Sequence, residues 1–252
     1  MIKRISYLFV LTLAVFSAVA DAQANTYTTN FPLTQNPISE SGHWTNGGAA
    51  SSQWGNIQTN GTMAYGVTEP TTYGDPTASL TGTWGTNQTL TATVKINSQP
   101  GVCCHELELR PLTTISSNSI RGYEINCSVV TGNTYIQLVR WNGPNGNFTY
   151  IDQLDPGTPC VNGDVLIATT VVSGSTVTFT LKRNGVLQTF TNCHCTNPSD
   201  SSGSAVLSGN PGIGFYDNQD SNWSSFGFSS FTASDGNAQQ PAPPTGLSIS
   251  VH

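Results

Sequence analysis

Charge is scarce in this chain of 252 residues. Asp, Glu, Lys and Arg together make up 9%, and 8 basic residues face 14 acidic ones, for a net charge of −6. So few cations leave no basic face to neutralise phosphates, which excludes a nucleic-acid partner. Helix signals are nearly absent as well. Beyond residue 24 no apolar run approaches the roughly 20 residues that a membrane-spanning helix needs, so no transmembrane segment is expected in the mature chain. Aromatic residues are not lacking: 5 Trp, 8 Tyr and 10 Phe make up 9%, which speaks against disorder. The length suits one all-β domain with enough apolar area for a core.

Lys3 and Arg4 precede an apolar stretch, Ile5 to Ala20, and Ala22-Gln23-Ala24 supplies small residues of the kind a signal peptidase reads. Residues 1–24 therefore read as a cleaved signal peptide, and the protein as secreted, either extracellular or periplasmic. Six cysteines agree: Cys103, Cys104, Cys127, Cys160, Cys193 and Cys195. Cys-Cys-His at 103–105 and Cys-His-Cys at 193–195 also contain zinc-ligand residue types, but an oxidising compartment favours disulfides. Bridges within Cys103–Cys104 or Cys193–Cys195 would be strained and are set aside, which still leaves several connectivities open.

The rest of the chain alternates short apolar/polar runs with turn chemistry. Strands are expected at Leu90–Ile96, His105–Arg110, Arg121–Val129, Thr134–Trp141 and Phe148–Leu154. Others follow at Val165–Val172, Thr176–Arg183, Val186–Phe190, Gly212–Tyr216 and Phe226–Thr232. Asn184-Gly185 between two of these runs signals a type I′ hairpin. Short strands at this spacing imply an all-β, antiparallel two-sheet jelly-roll sandwich, disulfide-stabilised, over residues 25–235. Residues 236–252, with Gln239-Gln240-Pro241-Ala242-Pro243-Pro244, form a Pro-rich, linker-like tail. A monomer is expected.

Several segments together resemble the concanavalin A-like lectin/glucanase superfamily, in its bacterial secreted, laminin-G-like jelly-roll branch. They are Asn30-Phe31 with Trp44, His105-Glu106-Leu107-Glu108-Leu109-Arg110, Gly122-Tyr123-Glu124-Ile125 and Val139-Arg140-Trp141-Asn142-Gly143. Gly209-Asn210-Pro211-Gly212-Ile213-Gly214-Phe215-Tyr216 and Phe226-Gly227-Phe228-Ser229-Ser230-Phe231 complete the set. The resemblance implies two packed sheets, one concave, with carbohydrate as the commonest ligand class. The Glu-x-Asp-x-x-Glu pattern of laminarinase-type hydrolases and the Gln-x-His strand of alginate lyases are absent. A fold of this kind hosts binders and enzymes alike.

Pairing residues 103–110 with 120–129 so that Cys103 faces Cys127 puts His105, Leu107, Tyr123 and Ile125 on one apolar face. The other face then sets Glu106 opposite Glu124 and Glu108 opposite Gly122, with Arg110 beyond. Pairing Cys104 with Cys127 would instead place Glu124 among leucines, at a cost of several kcal/mol if it is left unpaired. A Cys103–Cys127 bridge is favoured on that ground. Extending to the next strand brings Asn126 beside Gln137, Ser128 beside Tyr135, Glu124 beside Val139, and Gly122 beside Trp141, with a slot at Gly122. Aromatic planes, amides and carboxylates are what sugar rings need from a surface. Arg110, Asn126, Tyr135, Gln137 and Trp141 are therefore candidate substrate-binding residues.

Glu106, Glu108 and Glu124 are candidate catalytic residues, because two opposed carboxyls about 5 Å apart at Cβ suit acid/base work. Structurally, the same patch could be compensated by Arg110, Arg121, Lys95 or a bound cation. A lyase would recruit Arg110 or Arg140 against a uronate. Asp217, Asn218, Asp220 and Asn222 form an oxygen-rich loop suited to a structural Ca²⁺; no other cofactor is expected. His43 and His194 read as loop histidines. The leading expectation is a polysaccharide or glycan binder, with a glycoside hydrolase or polysaccharide lyase as the alternative. The Pro-rich tail suggests a surface adhesion module as a further one.

Overall fold

The computed structural model describes residues 24–67, 71–101, 104–217 and 223–236. The expected signal peptide up to residue 23 and the tail from 237 lie outside the described residues. The strands, in chain order, are β1 (Thr26–Thr29), β2 (Thr34–Gln35), β3 (Trp44–Asn46), β4 (Ile57–Asn60), β5 (Ala64–Gly66) and β6 (Thr77–Leu80). Then come β7 (Thr89–Ile96), β8 (His105–Ser116), β9 (Ser119–Ser128), β10 (Ile136–Gly143), β11 (Phe148–Leu154) and β12 (Val165–Ser173). The last are β13 (Thr176–Arg183), β14 (Val186–Leu187), β15 (Ser199–Asp200), β16 (Asn210–Asp217) and β17 (Phe226–Ser234).

They form two antiparallel sheets. One runs β11-β10-β9-β8-β16-β6-β3, and the other β14-β13-β12-β7-β17-β5-β4-β2 with β1 on β17 and β15 on β13. Alternation explains the packing. Leu107, Leu109, Tyr123, Ile125, Ile136, Leu138, Ile213 and Phe215 from the first sheet share one buried cluster with Leu90, Ala92, Val94, Phe179, Phe228 and Phe231 from the second. Their in-between neighbours on β8, β9 and β10 point away from that core and carry the polar residues.

Strands occur at all the expected places, although Val186–Phe190 is a strand only at Val186–Leu187, and the all-β two-sheet jelly roll stands. Asn184 (φ 52) and Gly185 (φ 79) both take the left-handed conformation that a type I′ turn demands, between Arg183 and its partner Val186. Asn25 donates its backbone N–H and its amide to Asp235, at 2.6 and 2.7 Å, which ties the start of β1 to the end of β17.

Three expectations need correcting. In the β8–β9 pairing Leu107, not Cys103, faces Cys127; Glu106 faces Ser128, and Glu108 faces Asn126. The shift has an even number of residues, so every side chain stays on its expected face. Its origin is the length of β8, which runs through a bulge after Leu109 and turns only at Ser117-Asn118, with Ser116 opposite Ser119. Cys127 therefore bridges Cys160, not Cys103; the Cys160 N–H, bonded to the Ser128 carbonyl at 2.8 Å, brings that loop alongside. Cys193 and Cys195 do bridge each other, with Cα atoms 5.1 Å apart. His194 between them sits at φ 49, and Asp152 accepts the N–H groups of Asn192 and Cys193, which holds the loop tightly folded. Cys104 is disulfide-bonded too, while Cys103 lies outside the described residues.

Cys127–Cys160 closes a loop with a sequence separation of 33. Replacing both cysteines by serine is expected to cost about 2–4 kcal/mol of stability in chemical denaturation, with the sheets retained by circular dichroism.

Candidate functional site

The outer face of the seven-stranded sheet bears an open cleft of about 200 Å³. β8 contributes Glu106, β9 contributes Glu124 and Asn126, and β10 contributes Gln137, Val139 and Trp141. Phe148 and Tyr150 of β11, Tyr216 of β16, and Tyr73 and Asp75 from the segment before β6 complete the wall, beside Cys104. Cross-strand register aligns them: Gln137 lies beside Asn126, Val139 beside Glu124, Trp141 beside both Gly122 and Phe148, and Tyr216 beside Glu106. The β9–β10 register is the one expected from sequence.

Arg110 anchors the floor. It is 1% exposed, yet its Nε donates to Glu108 at 2.6 Å and its Nη2 to Asp75 and Glu124, both at 3.0 Å. Its guanidinium also lies 5.3 Å from the centre of the Trp141 ring. Gly214 on the neighbouring strand makes this possible: a Cβ there would sit 2.0 Å from Glu108 Oε2 and 2.3 Å from Arg110 Nε. Gly122 plays a different part from the one expected. Its Cβ would meet the Leu112 carbonyl at 2.8 Å, so the β8 bulge fills the space and no slot opens beside Trp141.

Above the floor, Asn126 joins two carboxylates. Its Nδ2 donates to Glu106 Oε2 and Glu124 Oε1, each at 2.8 Å, so those oxygens lie within twice that distance of one another. The Gln137 N–H fixes the amide by donating to Asn126 Oδ1 at 3.0 Å. Tyr135 reaches from the rim to donate to Glu106 Oε1 at 2.5 Å, and Trp141 Nε1 donates to Glu124 Oε2 at 2.6 Å. The sequence candidates Glu106, Glu124, Arg110, Asn126, Tyr135, Gln137 and Trp141 thus come together. Glu108 lies beneath the cleft, fully buried, and does not line it.

Four carboxyl groups share one guanidinium, and their proton affinities respond. Burial, reinforced by the neighbouring Glu124 carboxylate, pushes Glu106 up to about 8. Burial outweighs the nearby Arg110 to push Asp75 up to about 7, and burial drives Glu108 well above the usual carboxylate range. Burial also raises the Tyr135 hydroxyl, aided by Glu106, so it remains a donor. Arg110 stays charged: burial opposes the charge, but Glu108, Glu124 and Asp75 together raise its affinity for the proton.

Asp75, Glu108 and Glu124 offer oxygens within 4.8 Å of one another, a spacing open to a metal ion. The Arg110 guanidinium is bonded to all three, so it already supplies the cation there. Of the loop expected to hold Ca²⁺, Asn218, Asp220 and Asn222 lie outside the described residues; Asp217 is buried and sits 3.1 Å from His105. Arg140 is on the core side of β10, bound to Asp200 at 2.7 Å, and does not line the cleft. Neither arginine is thus available to a uronate, which removes the lyase reading's charge neutralisers.

Sequence reasoning missed Asp75, Tyr73, Phe148, Tyr150 and Tyr216. Phe148 and Tyr150 could have been found by carrying the register through one more hairpin, since the Asn142–Asn147 turn sets Phe148 opposite Trp141. Asp75 sits outside any strand-like run and left no such signal.

No protein-family model and no curated protein sequence matches the chain. Among solved structures it resembles a mutant form of the Emp46p carbohydrate recognition domain, at 14% identity and TM-score 0.50, covering 84% of this chain and 97% of that one. It also resembles the endo-1,3-beta-glucanase from Streptomyces sioyaensis (9% identity, TM-score 0.49, 86% and 99% covered). A third is the carbohydrate-binding module CBM66 from Bacillus subtilis (14% identity, TM-score 0.47, 79% and 95% covered). At such identity the likeness to the Emp46p domain is one of fold, the two-sheet jelly roll.

Asp75 and Glu106 bind protons more tightly folded than unfolded. Their stabilising contribution is complete below the ordinary carboxylate range and is lost as pH rises through about 7 and about 8. The melting temperature is therefore expected to fall between about pH 5 and about pH 9, and Glu106→Gln should flatten the upper part of that decline. Gly214→Ala, which drives a methyl group into the Glu108–Arg110 pair, is expected to cost about 1–3 kcal/mol in thermal or chemical unfolding.

Proposed function

We propose that this protein is a secreted carbohydrate-binding jelly roll of the laminin-G-like branch, recognising a polysaccharide in the cleft on the outer face of its seven-stranded sheet. One observation carries the reading. A continuous aromatic row, with Tyr73 and Trp141 each packed on Phe148 and Phe148 on Tyr150, flanks a wall of fixed amide and carboxyl groups. Rings supply apolar planes for sugar C–H faces, and the Asn126 and Gln137 amides supply donors and acceptors for hydroxyls. The fold shared with the Emp46p carbohydrate recognition domain supports the reading. Secretion rests on the N-terminal Lys3-Arg4, apolar stretch and Ala22-Gln23-Ala24, and the disulfides agree with it.

A second reading, a glycoside hydrolase, is favoured by the Glu106–Glu124 pair. Retaining enzymes set two carboxyls about 5–5.5 Å apart, one of them protonated at rest, and Glu106 holds its proton up to about 8. Incubating mature protein with a panel of neutral and uronic polysaccharides separates the two. Retardation on native affinity gels without soluble products identifies a binder. Saturated oligosaccharides in mass spectra, abolished in Glu106→Gln, identify a hydrolase. Retention by no polymer and release of no product would overturn both.

Tyr150 is 59% exposed, so Tyr150→Ala should leave the melting temperature nearly unchanged. It should still weaken retention of the bound polysaccharide about three- to tenfold, the equivalent of losing one aromatic contact of about 0.5–1.5 kcal/mol.

A further inference from the structure

The cleft's charge is unbalanced in a way that specifies its ligand. Asp75, Glu108 and Glu124 all bond to Arg110. Glu106 does not: among the described residues its two oxygens accept from the neutral donors Asn126 and Tyr135. Among the described residues no lysine, arginine or histidine side chain pairs with it, although it lines the cleft and is only partly buried. Beneath it, Glu108 Oε1 is fully buried and has no hydrogen-bond partner. The wall therefore carries more carboxyl groups than its own cation can pair, so a proton must serve Glu106 until a cation displaces it, beside aromatic faces that attract cations as well as sugar C–H groups.

We infer that the ligand is an amino-sugar polymer with free 2-ammonium groups, a glucosamine-type polysaccharide, whose ammonium pairs with Glu106 while its ring lies against the Phe148–Tyr150 end of the aromatic row. This rests on the carbohydrate-binding reading and narrows it. A uronic polymer meets no free cation on this wall among the described residues, since Arg110 is occupied. A neutral sugar would satisfy the hydroxyl-binding groups and leave Glu106 uncompensated. The chain's net charge of −6 favours encounter with a polycation.

Isothermal titration calorimetry with a glucosamine hexamer, its fully N-acetylated counterpart and a uronate hexamer tests this on the whole mature protein. The glucosamine hexamer should bind at least about tenfold tighter than the acetylated one, as one charge-assisted hydrogen bond implies. That advantage should shrink as salt is raised. Glu106→Gln should reduce glucosamine affinity by a similar factor and narrow the gap between the two hexamers; the wild-type comparison stands even if the variant folds poorly. Equal or tighter binding of the acetylated or uronate hexamer would overturn the inference while leaving carbohydrate binding intact. Binding of none of the three, with no retention of any neutral polymer, would overturn both. Calcium chloride titrated alone is the remaining arm: tight Ca²⁺ binding with no discrimination among the hexamers would assign the acidic wall to a metal and overturn the inference.

Discussion

The Arg110 guanidinium is buried in the middle of a sheet face, and a charge in that position is tolerated only when it is paired and hydrogen-bonded on most of its edge. Its partners come from three parts of the chain: Glu108 from its own strand, Glu124 from β9 and Asp75 from the segment before β6. Each of those elements is thereby fixed relative to β8. On the other side β16 must present a glycine, because any Cβ at Gly214 would overlap the ion pair. Trp141 on β10 is tied in twice, by its ring beside the guanidinium and by its N–H on Glu124. The cleft wall is thus organised around one cation, and its aromatic side begins at the residue that touches it.

This arrangement has an electrostatic consequence that reaches the ligand. One guanidinium cannot compensate four carboxyl groups, so protons make up the difference until something else does. Burial drives Glu108 well above the carboxylate range, and at the cleft wall burial and like charge push Asp75 and Glu106 up to about 7 and about 8. Of these, Asp75 is bonded to Arg110 and Glu106 is not. A ligand entering the cleft therefore meets the one carboxyl whose charge state is still to be decided.

The face of every cleft residue on β8, β9 and β10 was legible in the sequence, because alternation of apolar and polar residues fixes parity without knowledge of the register. The register itself was not. Cys103 and Cys127 gave a plausible anchor for β8 on β9, but the true anchor is the Ser117-Asn118 turn beyond a bulge that no periodicity announces. For β9 on β10 no bulge intervenes, and the Asn126–Gln137, Glu124–Val139 and Gly122–Trp141 pairs are as the sequence indicates. The same logic explains the disulfides. Cys160 is in a loop whose position depends on tertiary packing, and Cys193–Cys195 depends on a left-handed His194. Asp75, the third partner of Arg110, approaches from a segment without strand character and leaves no pattern to follow.

The hydrogen bonds around Glu124 bear on the choice between the two proposed readings. Glu124 Oε2 accepts from both Arg110 and Trp141, and Oε1 accepts from Asn126. Donors so placed occupy the lone pairs a nucleophile would turn toward an anomeric carbon. A group held this way is suited to orienting others: through Asn126 it fixes Glu106, and through Trp141 it fixes the aromatic row. Glu106 is held by neutral donors alone, can exchange its proton near neutral pH, and faces the cleft. That division of labour suits the proposed binding wall better than a hydrolase, with Glu124 as part of the frame and Glu106 as the group left open to a ligand.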